Sequence, residues 1–441
     1  MALQKTHQTR RTPTGCALNL TLYLIAMRAL AAMGLLTLSL VPIMSAQQPC
    51  AESGNSAFVQ RVKASQSQLL SVEVHDEIDE EVPPPLQAEI RAFKDALTEF
   101  ADATLACTST STDPKTLQNT IATELDANHP IPQQVYDQKK PPQLDQIYGS
   151  NLEVKLTAPS HAPRIVLIEF NLGIECGYDT VLLAYEIRGG KWQRVLRWQS
   201  PDYDEISGAF GDFFDYEVMP QNNSGNWLLA VARGFPWCTS NLSAFHIDLL
   251  QPSSTRAPQK LLFHQKGDYR RDEDPVMKPA PNGFQLRMLG ESLDMSIVMR
   301  PVIYRYVVLD GRLQRVQPIA KNGRDFVDEW LESPWDEATR WSAPANQDSL
   351  KTTHAKIEGE QKSFAENTPL RTYGPVRGCS DSTTHFQVQL DAEWIDNKGK
   401  STPGKSTYFE IQEGKNSFTM LSASGQPDAR CIGPDIMPKQ Q

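Results

Sequence analysis

The runs IVLIEF at 165–170 and VLLAYEI at 181–187 are almost continuously apolar, yet each is too short for a stable helix. Short β-rich runs bounded by glycine read as strands. Arg188-Gly189-Gly190-Lys191 then reads as a hairpin turn into a third strand at 192–198, because glycine supplies the positive φ that such turns need.

The same pattern returns twice. The second copy has strand-like runs at 227–232, 245–249 and 260–264, and the third has them at 284–289, 302–308 and 313–316. In the third copy Asp310-Gly311 supplies the turn. Starting points near 165, 227 and 284 are about 62 and about 57 residues apart, which points to one structural unit repeated. A weaker fourth copy is expected at 385–394 and 406–418. Units of this kind resemble propeller blades, and the alternative is an antiparallel sandwich with look-alike hairpins. The expected fold class is mainly β, α+β overall, with repeated antiparallel units, a helical N-terminal region and a short helical insertion.

Helical periodicity is confined to two places. Residues 57–70 form a modest candidate, and Pro83-Pro84-Pro85 opens a stronger one, with Ile90, Phe93, Leu97, Phe100 and Thr104 on one face up to Cys107. Leu117, Ile121 and Leu125 continue the spacing in a shorter helix from Pro114. After the third copy, Asn322 and Ser333-Pro334 each open a helix, bringing Trp330, Trp335 and Trp341 within twelve residues. These tryptophans are expected to staple a helical pair onto the sheet rather than to form a sugar platform. Residues 342–370 read as polar and mobile. The expected division is 1–46 signal peptide or N-terminal anchor, 47–150 helical region with a proline-rich linker, 151–320 β domain of three units, 321–350 helical pair, and 351–441 C-terminal β module.

Residues 1–46 have the pattern of an export signal, with an apolar run from Ala29 to Val41 and small residues up to Ala46. Met27 is the expected start and Ala46 the expected cleavage point, with an uncleaved anchor as the alternative. Of seven cysteines, Cys16 lies in this segment. The other six fall into neighbours, Cys50 with Cys107, Cys176 with Cys238, and Cys379 with Cys431. Each pairing closes a loop worth roughly 4 kcal/mol in the chain-entropy model. Cys176 and Cys238 stand at equivalent places in the first two copies. An exported chain with an even cysteine count favours disulfides over buried thiols, and the expected location is periplasmic or extracellular.

Composition narrows the function. A net charge of −10 gives no basic field for a phosphate backbone, so nucleic-acid binding is not expected. The chain carries no GxSxG, phosphate loop, dinucleotide fingerprint, HExxH or CxxC, and no Cys/His cluster at zinc spacing, so no cofactor and no metal are expected. The acidic run at 75–81 lacks the glycine and ligand spacing of a calcium loop and reads as a solvated linker. The densest mix of acids and aromatics is at 200–217. There Asp215 and Glu217 share a strand face, and Asp212 precedes them. Such carboxylates suit glycoside hydrolysis, and aromatics with acids suit sugar binding. The favoured reading is plainer: acids facing water on a strand edge. Arg233 and Trp237, beside Cys238, complete the candidate ligand-contacting set of Asp212, Asp215, Arg233 and Trp237. A packed tryptophan on the disulfide is the favoured role for Trp237.

These observations lead to an exported cell-envelope binding or interaction scaffold, engaging a protein or carbohydrate, and touching membrane only through its N-terminal segment. The alternative is a secreted glycosidase-like hydrolase using carboxylates near Asp212–Glu217. The cysteine pairing has a direct test. Protein beginning after residue 46 should titrate no free thiol in denaturant and six after reduction, and two or more thiols before reduction would break the pairing scheme.

Overall fold

The computed structural model describes residues 52–72, 82–129, 148–174, 177–201, 213–219, 227–236, 242–254, 257–273, 275–295, 297, 299–309, 312–362, 367–396 and 398–437. All of these belong to the unit Cys50–Gln441; Met1–Pro49 is a separate unit, and the signal-like segment lies outside the described residues. No helix among the described residues is long and apolar enough to cross a membrane.

The apolar runs at 165 and 181 become the middle of a four-stranded antiparallel sheet. Its strands are β1 (Glu153–Thr157), β2 (Ile165–Ile174), β3 (Gly177–Arg188) and β4 (Lys191–Gln199), paired in chain order. The β3–β4 turn is as expected: Gly189 and Gly190 have φ of 58° and 75°, which only glycine adopts at little cost. Nine of the ten residues of β2 are buried, so both faces of the strand are covered. Val166, Ile168, Phe170 and Leu172 face a helical layer, α1 (Glu52–Leu70), α2 (Pro84–Cys107) and α3 (Pro114–Leu125). Ile165 and Leu167 face the other way, onto Val218, Leu229, Val231 and Leu250 of the next sheet.

That next sheet has eight strands: β5 (Phe214–Met219), β6 (Leu228–Pro236), β7 (Leu242–Gln251), β8 (Lys260–Arg270), β9 (Val276–Ala280), β10 (Gly283–Glu291), β11 (Met299–Leu309) and β12 (Arg312–Val316). It consists of two four-stranded meanders, β5–β8 and β9–β12, joined where β8 meets β10 at Arg270 and Leu289. Their apolar faces share one core, with Ala230, Ala232, Ile247 and Leu249 against Phe284, Leu286, Met288 and Tyr306. The stacking is sandwich-type. A last antiparallel sheet follows, β13 (Asn367–Gly378), β14 (His385–Asp396), β16 (Thr407–Glu413) and β17 (Phe418–Ser424), with β15 (Ser401–Pro403) beside β14. Helices α4 (Gly323–Glu332), α5 (Trp335–Ala338) and α6 (Gln347–Lys362) cover one of its faces, and Trp330 and Trp341 are buried there among Phe326, Val388, Phe409 and Met420.

The fold is therefore mixed α and β, with the expected helical N-terminal region, helical insertion and antiparallel sheets. The three sequence copies correspond to the second, third and fourth strands of each meander; of the first strands, β5 matches the strand edge read at Asp215 and Glu217, and β1 and β9 escaped notice. β9 carries Pro279 and pairs only with β10, the sheet position at which proline is tolerated. The expectation that 342–370 is mobile is corrected: α6 occupies 347–362, holding Leu350, His354 and Ile357 buried. Its stripe has few members and one is a histidine, so the periodicity is faint. Asp310-Gly311 lies outside the described residues, although Leu309 and Arg312 pair across it.

Buried charges tie these layers together. Lys94 of α2 reaches Asp179 of β3 at 3.1 Å, with the side chains 1% and 0% exposed. Asp179 also accepts from the Thr180 amide at 2.6 Å. On the other side of the chain, Arg300 of β11 meets Asp328 and Glu329 of α4 at 2.5 and 2.8 Å. Burial disfavours that guanidinium's charge, but the neighbouring carboxylates outweigh it and hold the pKa above the ordinary arginine value. A pair like Lys94–Asp179 adds little net stability, whereas removing one partner strands the other charge in a dry interior. Lys94→Ala should therefore lower the unfolding free energy by about 3 kcal/mol in denaturant titration. Lys94→Met with Asp179→Leu should recover part of that loss.

Candidate functional site

The residues singled out from the sequence do not form one site. Asp212 and Trp237 lie outside the described residues, as do Cys50, Cys176 and Cys238. Arg233 of β6 is 1% exposed and donates to the Thr180 hydroxyl and the Tyr178 carbonyl of β3. Its guanidinium also sits over the rings of Phe214 and Phe235, at 5.7 and 5.8 Å. That geometry links the first two sheets. Asp215 of β5 accepts the Tyr216 amide at 2.9 Å and the Met277 amide at 3.3 Å, joining β5 to β9. Burial pushes its pKa up, and the two backbone bonds oppose the shift. Glu217 is pushed up by burial and drawn back by His161.

Cysteine chemistry is clearer. Cys379 and Cys431 form a disulfide across 52 residues, and Cys107 is also disulfide-bonded. His385 brings a third donor within 4.8 Å of the two sulfurs. Its Nδ1 is 2.8 Å from Asp381 and its Nε2 is 3.3 Å from Glu410. The spacing of these three along the chain matches no zinc signature, so only folding reveals the group. With the sulfurs joined as a disulfide, neither offers a thiolate to a metal.

A cleft of about 600 Å³ opens between α6 and the last sheet, and nothing in the sequence pointed to it. It arises where the core runs out. Along one face of β14, Val388 and Leu390 are buried beneath the helices, while Ala392 and Trp394 are only half-buried. Burial along that face lessens toward Trp394, which leaves the face partly open. Across from it, the 403–407 segment lies close on β14; a Cβ on Gly404 would stand 2.7 Å from the Ala392 carbonyl, so a side chain there would push the segment away.

The charged lining is Lys356, Glu360, Arg371 and Lys405, three cations to one carboxylate in a chain whose net charge is −10. Glu360 is 2.9 Å from Arg371 and 3.8 Å from Lys356. Arg371 is 4% exposed, so it fixes Glu360 from within; Lys356 and Lys405 are exposed. Burial lowers the Arg371 pKa and Glu360 raises it again. Hydroxyls of Thr353, Ser406 and Thr407 complete the polar wall. An indole, exposed ammonium groups and hydroxyls can hold a polar, negatively charged molecule, and the Ser406 hydroxyl already donates to Asp391 at 2.5 Å.

No family model matches the chain, and no curated protein matches it. Among solved structures, a SEC-C motif containing protein from Rhodopseudomonas palustris is similar over 23% of this chain and 73% of its own. The identity is 13% and the TM-score 0.17, too low to carry an argument about fold or function.

The second sheet also holds a pH-sensitive group. His246 of β7 is 6% exposed, packs at a tilt against the Phe235 ring with centroids 4.4 Å apart, and meets the His264 ring edge-on at 5.1 Å. Burial, then Lys266 and His264, lower its pKa from 6.5 to about 4, with Asp248 opposing. The unfolded chain therefore takes up this proton first, and the stabilisation from neutral His246 is full above pH 6.5. It is lost as pH falls from 6.5 toward 4. His246→Leu should make the decline in melting temperature over that window shallower than in wild type.

Proposed function

We propose that this chain is a non-catalytic, exported binding protein of the cell envelope, and that it takes its ligand in the cleft between α6 and the C-terminal sheet. The observation that carries the reading is the half-open cleft at Trp394, where the covered face of β14 becomes accessible beside Lys356 and Lys405. Pockets of this size, with a few convergent polar groups, are the usual seats of small ligands. The surrounding sheet is rigidly paired: β14 hydrogen-bonds to β13 on one side and to β15 and β16 on the other. A rigid frame lowers the ordering cost of binding.

Support for an exported, periplasmic or extracellular location comes from disulfide chemistry at Cys379–Cys431 and Cys107, together with the signal-like composition of residues 1–46. The four meanders read as copies of one unit in propeller-like succession, a reading supported by chain-order strand pairing within the first three and by the cores those three share. The partner is of the carbohydrate or protein class rather than nucleic acid, in keeping with the acidic net charge. Asp215 is assigned no chemical step, because both its oxygens accept backbone amides.

The test is a comparison of the full chain with Trp394→Ala on an array of immobilised saccharides and short peptides. The expected result is at least one ligand class retained by wild type and lost, by tenfold or more, in the variant. Identical profiles, with Trp394→Ala folded by circular dichroism, would overturn the assignment of the cleft as the binding site.

A further inference from the structure

We infer that the cleft is built for an acidic saccharide, with a sugar ring on the face of Trp394 and its carboxylate held by Lys356 and Lys405. This rests on the cleft being the binding site. The sign of the ligand charge follows from the lining. Arg371 and Glu360 neutralise each other at 2.9 Å, and Arg371 is buried. That leaves two exposed ammonium groups at the mouth. Lys405 has no hydrogen-bond or ion-pair partner among the described residues, and Lys356 is 66% exposed with only the 3.8 Å contact to Glu360, which Arg371 already engages. A cation would meet repulsion here, and a neutral ligand would leave both ammonium groups unused.

The saccharide class follows from how the apolar surface is distributed. Leu390 and Ile357 line the cleft but are 2% and 4% exposed, so its floor offers no deep apolar socket. The apolar lining that is not buried consists of Trp394, Ala392, Pro403 and Ala423, of which only Trp394 offers a flat ring. A peptide docks by adding a strand to a sheet edge or by placing side chains in sockets. The strand that carries Trp394 already has neighbours on both sides. A pyranose ring presents one flat C–H face and a rim of hydroxyls, which suits a cleft lined by an indole and, farther along β14, by the hydroxyls of Thr353, Ser406 and Thr407. A carboxylate on that ring supplies the charge that the lysines lack.

Lys356 and Lys405 act in this scheme as specificity determinants, while Trp394 provides the platform. Their ammonium groups are exposed, so the attraction is screened by salt. It should weaken as ionic strength rises, and the contribution of the indole should not.

Isothermal titration of the full chain with tetragalacturonate, the neutral cellotetraose and tetraglutamate separates the outcomes. The expected result is that tetragalacturonate binds, that cellotetraose binds at least tenfold more weakly, and that tetraglutamate does not bind. Lys356→Gln and Lys405→Gln should each weaken tetragalacturonate binding about fivefold with unchanged melting temperature, and Trp394→Ala should abolish it. Equal binding of cellotetraose and tetragalacturonate, or preferred binding of tetraglutamate, with dependence on Trp394, overturns the acidic-saccharide assignment and leaves the cleft as a binding site. If none of the three binds in a Trp394-dependent way, the acidic-saccharide assignment falls as well, and a Trp394-independent array profile then removes the cleft assignment with it.

Discussion

A strand buried on both faces must be covered twice, and β2 imposes that condition on everything around it. Its alternate residues face opposite ways, so Val166, Ile168 and Phe170 require one apolar partner and Ile165 and Leu167 another. Helices α1–α3 meet the first demand and the β5–β7 region of the second sheet meets the second. Covering the second sheet then exposes its own far face to the same problem. Residues 230, 232, 247 and 249 are buried against the β9–β12 meander, so the need for cover is handed along the chain. The succession ends at the C-terminal sheet, where helices rather than another sheet supply the cover.

Dry contacts between layers are non-directional, and charged side chains give them a register. Lys94 meets Asp179 between helix and sheet, Arg233 reaches the β3 backbone from β6, and Arg300 spans from β11 to α4. Arg315 does the same beside it, donating to Glu337 and to Ser333 at 2.8 Å. Each of these cations is nearly buried, and each joins an element to one distant in sequence. Such groups contribute modestly to net stability, but a mispaired layer would leave an unneutralised charge inside. Fixing the relative placement of the layers is therefore the role best matched to their burial.

The cleft is what remains when such cover is incomplete. Helix α6 buries Leu350 and Ile357 against the last sheet, but burial along β14 lessens from Leu390 to Trp394. Trp394 consequently sits at the boundary between core and solvent, and the surrounding lysines give the opening a charge opposite to that of the chain as a whole. Position at the edge of a core gives a binding surface both rigidity from below and access from above.

The amino-acid sequence by itself determined the local elements: the face of α2 at Ile90, Phe93, Leu97 and Phe100, the Gly189–Gly190 turn, the strand runs of each meander and the pairing of Cys379 with Cys431. These are legible because periodicity, turn chemistry and cysteine count act over short distances or on few candidates. It did not disclose the edge strand β9, the helix α6, the buried task of Arg233 or the cleft. Arg233 beside an aromatic loop looks the same in sequence whether it meets a ligand or a neighbouring sheet. Lys356, Arg371, Trp394 and Lys405 come from separate elements and share no spacing rule. Only the tertiary structure decided where helical cover stops along β14, because that depends on how far two independently formed layers overlap.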